Sequence, residues 1–217
     1  MKNTIIIFAF IFCFLSKAYS QPTNTVKINI AELDSFINKM LIDWKVPGLA
    51  LAIVKDGKVL YTNGYGVKNL KSLEKVSTST LFSIASATKS FTSTLAAMMY
   101  EENKFDWDVP LINYFPDFKM YDEMASAKIT LKDLMSHRSG IPRQKYYSLI
   151  APANRKETRS NMKYFEPTSD FRASFNYCNE TFAVAGDMIA ERAGTTWEEM
   201  VRKKIFEPLE MKSTITS

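Results

Sequence analysis

The sequence predicts an α+β fold, in which a helical region packs on an antiparallel sheet. Two apolar stretches in the N-terminal third are separated by Asp56-Gly57, a strong signal for a two-residue hairpin turn. Downstream of residue 80, apolar residues recur at helical spacing in several segments. Two strands alone do not make an independently stable sheet. Either the helices form the body of the protein by themselves, or the strands that complete the sheet lie beyond residue 217.

The first twenty residues are predicted to be a secretory signal peptide. Lys2 precedes an apolar run over residues 4–15, and Ala18 and Ser20 place small residues just before Gln21. The apolar run is too short to span a bilayer comfortably, although an uncleaved N-terminal anchor is the alternative. We therefore expect cleavage after Ser20, a secreted or periplasmic protein, and no stable transmembrane anchor after cleavage.

Composition after signal cleavage indicates an ordinary single domain over residues 21–217. The net charge of +5 falls to +3 when Lys2 and Lys17 are removed, and the charges are spread along the chain, so no nucleic-acid partner is expected. Removal of Cys13 leaves Cys178 as the one thiol, which excludes an internal disulfide. The domain must therefore rely on its apolar core for stability.

The first elements are predicted to be a helix and a hairpin. The helix, over residues 30–44, has apolar residues at helical spacing: Leu33, Phe36, Ile37, Met40, Leu41 and Trp44. Pro47-Gly48 ends it. Strands are predicted over residues 49–54 and 58–66 on either side of Asp56-Gly57.

The next helix begins around Ser86 and places a serine and a lysine one turn apart. Ser86 and Lys89 share a helix face, and an apolar stripe follows them at Phe91, Leu95, Met98 and Met99. A serine needs a nearby base to act as a nucleophile. A lysine amine kept neutral by burial can be that base. Ser86 is predicted to lie in the first turn, where the helix dipole favours a developing negative charge.

Two further Ser-x-x-Lys pairs occur in the chain, and their surroundings differ. Ser72 with Lys75 and Ser160 with Lys163 lie in highly charged stretches with no apolar helix behind them. We interpret both as solvated surface pairs.

The remaining elements are predominantly helical. Residues 105–118 are predicted to be a packed loop, and Thr130 caps a short helix that ends before a Gly-Pro turn. The polar stretch 143–174 is predicted to form one wall of a cleft. A helix over about residues 180–193 and another that begins with the capping-box spacing Thr195 to Glu198 complete the pattern.

These residues together resemble a known family. The run Ser86-Ala87-Thr88-Lys89, followed by Tyr177-Cys178-Asn179, resembles the first two motifs of the penicillin-recognising serine hydrolases, which include class C β-lactamases, DD-peptidases and esterases of the same fold. The sequence between and after the motifs is also similar to this family, at residues 106–110, 114–116, 129–142 and 197–214. The resemblance runs from about Ile30 to the last residue and implies the β-lactamase/transpeptidase-like fold.

The resemblance implies a role for each motif residue. Ser86 would attack an acyl carbon and form an acyl-enzyme. Lys89 and Tyr177 would share the transfer of the serine proton. Asn179 would hydrogen-bond the acyl side chain of the substrate and help to position Lys89. The backbone N–H of Ser86 would supply half of an oxyanion hole.

One family motif has no counterpart. The third motif, a Lys- or His-led triplet ending in Gly on an inner strand, does not occur after Tyr177. We therefore expect this chain to be the N-terminal portion of a longer domain whose C-terminal strands are missing. Alone, it is expected to be catalytically inactive.

The remaining chemically active side chains suggest no second mechanism. His137 is the one histidine and no Gly-x-Ser-x-Gly motif occurs, so we interpret His137 as structural rather than as the base of a Ser-His-Asp triad. One histidine and one mature cysteine leave no zinc site, and no cofactor is expected. Cys178 is interpreted as a small buried side chain that points away from its two motif neighbours.

Three functions stay open. The favoured one is a secreted serine hydrolase acting on β-lactams, D-alanyl cell-wall peptides or related amides and esters. An esterase for small esters is the alternative within enzymes, favoured by a His-led third triplet or by none. A non-catalytic penicillin-binding or sensor module is the alternative outside enzymes.

Overall fold

The computed structural model describes residues 28–144, Tyr147 and residues 154–216. The chain divides into two compact units, residues 1–80 and residues 81–217. The predicted signal peptide over residues 1–20, with its cleavage after Ser20 and with Cys13, lies outside the described residues, and the single domain over 21–217 stays a prediction. None of the helices in the described ranges is long and apolar enough to cross a membrane.

The N-terminal unit is a helix followed by a hairpin. Helix α1 spans Ile30–Asp43 and begins where the Asn29 side chain accepts the Glu32 N–H. Strands β1 (Gly48–Lys55) and β2 (Lys58–Gly66) pair antiparallel. Both Asp56 and Gly57 adopt positive φ, 52° and 70°, which is the backbone that a tight hairpin turn requires. The predicted helix and hairpin are confirmed.

The small core of this unit joins α1 to β2. Ile37 and Leu41 of α1 are buried with Tyr65 of β2. The hydroxyls of Tyr61 and Tyr65 donate to Asp34 Oδ1 at 2.8 and 2.6 Å. Hydrogen bonds from Tyr65 first and Tyr61 second lower the pKa of the Asp34 carboxyl, so the carboxylate stays charged at this helix–strand contact.

The C-terminal unit is helical. Its helices are α2 (Thr88–Glu101), α3 (Glu123–Lys128), α4 (Leu131–Met135), α5 (Arg155–Asn161), α6 (Asn179–Arg192) and α7 (Trp197–Val201). Single turns of 3₁₀-helix occupy Ala85–Ala87, Leu111–Asn113 and Met162–Tyr164, and a π-helical turn occupies Arg202–Phe206. Within the described residues, the one sheet of the protein is the β1–β2 pair.

The core of the C-terminal unit lies around α2 and α6. Leu95 and Met99 of α2 are fully buried with Met188 and Ile189 of α6. Removing such side chains from water is the main source of stability, at roughly 1.5–3 kcal/mol for each one. The indole N–H of Trp197 donates to Thr92 Oγ1 at 3.1 Å, which links α7 to α2 inside this core.

Two predicted helix starts differ from the structure. Ser86 lies in the 3₁₀ turn that precedes α2 rather than in the first α-helical turn. Ala85, the first residue of this turn, has φ +44°, outside the right-handed α region, and α2 itself begins at Thr88. For α7, the capping residue is Thr196, which accepts the Glu199 N–H, and the predicted Thr195 to Glu198 pair is one residue early.

Candidate active site

Ser86 is presented at the N-terminal end of α2 on a turn of unusual backbone geometry. The positive φ of Ala85 is uncommon for a residue with a Cβ and costs about 1–2 kcal/mol. The turn is held because the following helix is anchored in the core through Leu95, Ala96 and Met99. Ser86 itself is exposed, so its hydroxyl is open to a ligand.

Lys89 connects the predicted site residues. Its Nζ donates to Tyr177 Oη at 2.7 Å, to Asn179 Oδ1 at 2.7 Å and to Ser86 Oγ at 3.3 Å. These three bonds match the three N–H donors of an ammonium group. Ser86 Oγ and Tyr177 Oη are 2.7 Å apart, and either can be the donor. The structure therefore brings together all four side chains that the two motifs singled out, across about 90 residues of sequence.

The surroundings of Tyr177 favour its phenolate. The hydrogen bond from Lys89 first, that from Ser86 next, and the charges of Lys89 and Arg143 lower the pKa of the Tyr177 hydroxyl, against a smaller opposing effect of burial. Lys89 Nζ lies 4.9 Å from the ring centroid and the Arg143 guanidinium lies 6.0 Å from it. A tyrosine in this environment can accept a proton from the adjacent serine hydroxyl.

Asn179 and Cys178 take opposite orientations at the start of α6. Asn179 is exposed and is the first residue of the helix, with its side-chain oxygen bonded to Lys89. Cys178 is the residue before the helix and is fully buried, with its Sγ 3.2 Å from Glu180 Oε2. Burial raises the pKa of the Cys178 thiol to about 12, so it is a poor nucleophile. The prediction of a buried, inward-facing Cys178 is confirmed.

Two neighbours of the site had no motif to reveal them. Arg143 is exposed and reaches the Tyr177 ring from the segment after the Gly-Pro turn. Phe182 of α6 lies beneath Lys89, whose Nζ is 5.5 Å from the ring centroid. Neither residue stands at a spacing that marks it in the sequence, because their positions depend on how distant segments fold together. As for metals, no cluster of three or more His, Cys, Asp or Glu suited to an ion occurs in the described ranges.

Known proteins with the same architecture identify the family. The beta-lactamase family model matches residues 33–217. An unguisins hydrolase of Aspergillus campestris is 31% identical over 83% of this chain and 35% of its own length. The octameric penicillin-binding protein homologue from Pyrococcus abyssi superimposes with a TM-score of 0.74 at 29% identity, over 85% of this chain and 44% of that one. A class C beta lactamase from Rhodobacter sphaeroides gives a TM-score of 0.66 at 21% identity, over 82% of this chain and 48% of that one.

The likeness covers most of this chain and less than half of each of these relatives. The chain spans about a third of the length of the unguisins hydrolase, with 35% of that protein matched. The predicted β-lactamase/transpeptidase-like fold is confirmed by the family match and by the superpositions. Since the family model accounts for 185 consecutive residues, from 33 to 217, the chain belongs to the beta-lactamase family, within the penicillin-recognising serine hydrolases.

Proposed function

We propose that the protein is a secreted serine hydrolase that opens amide or ester bonds through an acyl-enzyme on Ser86. One observation carries this proposal: Ser86 Oγ lies 2.7 Å from Tyr177 Oη, while Lys89 Nζ bonds Tyr177 Oη at 2.7 Å and Ser86 Oγ at 3.3 Å. A nucleophile, an adjacent base and a cation that supports the base are thereby within hydrogen-bond reach of one another. The hydrolase named among its relatives supports the same class of reaction.

Acylation follows from this arrangement. The phenolate form of Tyr177 removes the Ser86 proton as Oγ bonds to the substrate carbonyl carbon, and the carbonyl electron pair moves to oxygen. The tetrahedral intermediate collapses, and Tyr177 returns that proton to the departing nitrogen or oxygen. The backbone N–H of Ser86 offers one hydrogen bond to the oxyanion. The hydrogen bond from Lys89 Nζ to Tyr177 Oη stabilises the phenolate in this scheme.

Deacylation uses the same groups in reverse order. A water molecule gives its proton to Tyr177 as its oxygen attacks the ester carbon. Collapse of the second intermediate breaks the bond to Oγ, and Tyr177 reprotonates Ser86. We infer that Asn179, whose Oδ1 accepts from Lys89, hydrogen-bonds the acyl side chain of the substrate through its amide N–H groups. One acyl bond is hydrolysed and the enzyme is regenerated.

We infer that the substrates are β-lactams, D-alanyl cell-wall peptides or related molecules that carry an anionic group. The exposed cation Arg143 beside Tyr177 supports this inference. No nucleic-acid or membrane partner is proposed. Secretion follows from the signal peptide proposed for residues 1–20, and sequencing the N terminus of the exported protein should place Gln21 first.

The test is intact-mass spectrometry on the complete natural protein that carries this chain. After incubation with a penicillin, we expect a mass gain of one penicillin in the wild type and none in Ser86→Ala. Ser160→Ala is the matched control, since Ser160 is also followed three residues later by a lysine, but its hydroxyl donates to the Lys156 carbonyl within α5.

Three results would change the proposal. An adduct that persists in Ser86→Ala would remove Ser86 as the nucleophile. Absence of an adduct, with Ser86-dependent hydrolysis of p-nitrophenyl acetate, would favour the small-ester alternative. A folded protein that does neither would be a binding or sensor module rather than an enzyme.

A further inference from the structure

His137 packs directly beneath Tyr177. It lies two residues after α4 and is 6% exposed. Its ring centroid is 4.6 Å from that of Tyr177, and 5.2 Å from those of Phe175 and Phe182. The imidazole therefore packs against the Tyr177 ring, and Phe175 and Phe182 contact the imidazole as well.

His137 also bonds the backbone on both sides of Tyr177. Its carbonyl oxygen accepts the N–H of Asn176 at 2.8 Å, and its Nδ1 accepts the N–H of Cys178 at 3.2 Å. One residue thereby bonds the chain on both sides of the tyrosine, at the Phe175–Asn176 and Tyr177–Cys178 peptide groups. Since Tyr177 has to reach both Ser86 and Lys89, the direction of its side chain depends on this short segment.

We propose that His137 is a positioning residue that holds Tyr177 against Ser86 and Lys89, and that it does so with an unprotonated Nδ1. The inference rests on the proposed function, because the position of the Tyr177 hydroxyl matters for the proton transfer from Ser86. Within the described part of the chain, His137 makes no hydrogen bond to Ser86 or Lys89.

The neutral tautomer is a chemical requirement of this contact. A neutral imidazole that accepts at Nδ1 carries its proton on Nε2. Protonation of Nδ1 would point an N–H at the N–H of Cys178, so the bond would be lost and two donors would face each other. The structure therefore predicts that acid releases the Tyr177 segment.

The surroundings keep the ring neutral at ordinary pH. Burial first, and the charge of Lys89 from α2 second, lower the pKa of the His137 imidazole. Tyr177 and Cys178 face the ring from the segment before α6, and Phe182 of α6 adds no charge. The His137 ring therefore becomes charged only at a pH below the ordinary histidine range near 6.5.

The backbone conformation at His137 suggests two variants that test the proposal. Its φ is +59°, a conformation that asparagine tolerates better than most residues. In His137→Asn, the side-chain oxygen can replace Nδ1 as an acceptor and does not titrate. In His137→Phe, an aromatic ring still packs against Tyr177, but the hydrogen-bond acceptor is removed. The two variants separate the hydrogen bond from the packing.

The experiment measures acylation and the ionisation of Tyr177 in the complete natural protein. Acylation of Ser86 is followed by mass spectrometry between about pH 4 and pH 9, a range that includes ordinary histidine titration. The Tyr177 phenol is titrated by ¹³C NMR on tyrosine-labelled protein, with Tyr177→Phe to assign the signal. Circular dichroism verifies that each variant is folded.

We expect His137→Phe to slow acylation by about 10²-fold, the cost of a small misplacement of a reacting group, without a matching change in substrate binding. The pKa of Tyr177 should rise in this variant because the phenol leaves Lys89. His137→Asn should retain the wild-type rate within about tenfold, with the acid loss of activity moved to lower pH.

Several outcomes would overturn the inference. Wild-type acylation and wild-type Tyr177 ionisation in His137→Phe would show that the contact positions nothing. A His137→Asn variant as impaired as His137→Phe, or one with the wild-type acid limb, would show that the Nδ1 acceptor is unimportant. Failure of wild-type protein to acylate would instead reject the proposed function, and the Tyr177 titration would still decide the role of His137.

Discussion

Lys89 is the side chain on which the charge of the candidate site depends. It bonds three oxygens, and its hydrogen bond is the largest contribution that lowers the pKa of Tyr177. The other Ser-x-x-Lys pairs lack such a setting. The Ser160 hydroxyl donates to the carbonyl of Lys156 in its own helix, and Lys163 is exposed beside Tyr164. The same spacing thus gives the candidate site only where another segment of the chain supplies a tyrosine.

Replacement of Lys89 by methionine should separate charge from shape. The pKa of Tyr177 should rise toward its ordinary value, so the phenolate forms only at higher pH. Acylation near neutral pH should fall by about 10²- to 10⁴-fold, and its increase with pH should shift upward. The measurement is the pH dependence of acylation by a penicillin, with Lys163→Met as the control. A Lys89→Met profile that coincides with the wild type would contradict the role of Lys89 in supporting the phenolate.

Arg143 should set a preference for charge in the substrate. In Arg143→Gln, kcat/KM for a penicillin, which carries a carboxylate, should fall by up to about tenfold at low salt, because exposed charges contribute modestly. The value for p-nitrophenyl acetate, which is neutral, should remain. High salt should reduce the difference by screening, and Arg143→Lys should retain most of it. An equal loss for both substrates would instead indicate that Arg143 acts on Tyr177.

The resemblance to two family motifs predicted which four side chains meet. Ser86 lies in the turn before α2 and Lys89 in its first turn, whereas Tyr177 precedes α6 and Asn179 is its first residue. The left-handed backbone of Ala85 was not predictable from an alanine, since local preference opposes it. The contact between His137 and Tyr177 joins residues 40 positions apart, and only the fold defines it. The sequence therefore predicts the chemistry, and tertiary packing supplies the orientation.

Among the elements, α4 shows how one helix end is fixed to a distant segment. Asp133 accepts hydrogen bonds from the backbone and hydroxyl of Thr130 in a capping box. Its two oxygens also accept from Arg172 Nε at 2.9 Å and Nη2 at 2.7 Å. Burial raises the pKa of the Asp133 carboxyl, and the bonds from Arg172 and Thr130 outweigh it, so the net pKa is lowered.

Loss of the Arg172 side chain should destabilise this connection. Arg172→Met leaves the buried Asp133 carboxylate with only its Thr130 partners, and we expect a loss of about 1–3 kcal/mol in the free energy of unfolding. Arg202→Met is the matched control, because Arg202 also pairs with carboxylates but does so at the exposed surface. We expect a loss of about 0–1 kcal/mol there. Urea unfolding measures both, and equal losses would contradict the importance of the buried partner.

Sequence periodicity predicted the long helices that have an apolar face, whereas the short helices α3 and α5 were not predicted. Helices α1, α2 and α6 have buried stripes and lie within a few residues of their predicted bounds. Helix α5 is polar, and it is held by the Asn154 cap and by Arg159, which pairs with Asp187 and Glu191 of α6. Ion pairs between residues about 30 apart leave no periodic signal, so the stretch 143–174 could not be assigned.

At the scale of the whole molecule, the family match has to be understood together with a sheet that has two strands in the described residues. The described residues contain a two-stranded sheet, and the family fold is confirmed over residues 33–217. The third motif and the strands that carry it were predicted from the resemblance and stay a prediction. Hydrophobic patterns could not predict the third motif or its strands. An apolar pattern indicates that one face of an element is buried, but it does not indicate which strand packs against that face.

The stability of the C-terminal unit can be measured by the rate at which Cys178 is alkylated. This residue is adjacent to the candidate site and fully buried. Alkylation requires an accessible thiolate, whereas burial raises the pKa of this thiol to about 12. Native protein should therefore be alkylated by iodoacetamide at least about 10³-fold more slowly at Cys178 than urea-denatured protein, because the reagent must wait for unfolding.

Peptide mapping locates the label on Cys178, and Cys178→Ala verifies the assignment. Arg172→Met should speed the labelling in proportion to its loss of stability, since opening and unfolding are then one equilibrium. Fast labelling of the native wild type would mean that the segment carrying Tyr177 opens without unfolding of the core. In that case the bonds between Tyr177, Ser86 and Lys89 would be formed only part of the time, and ligand binding would have to order the site before any proton could move.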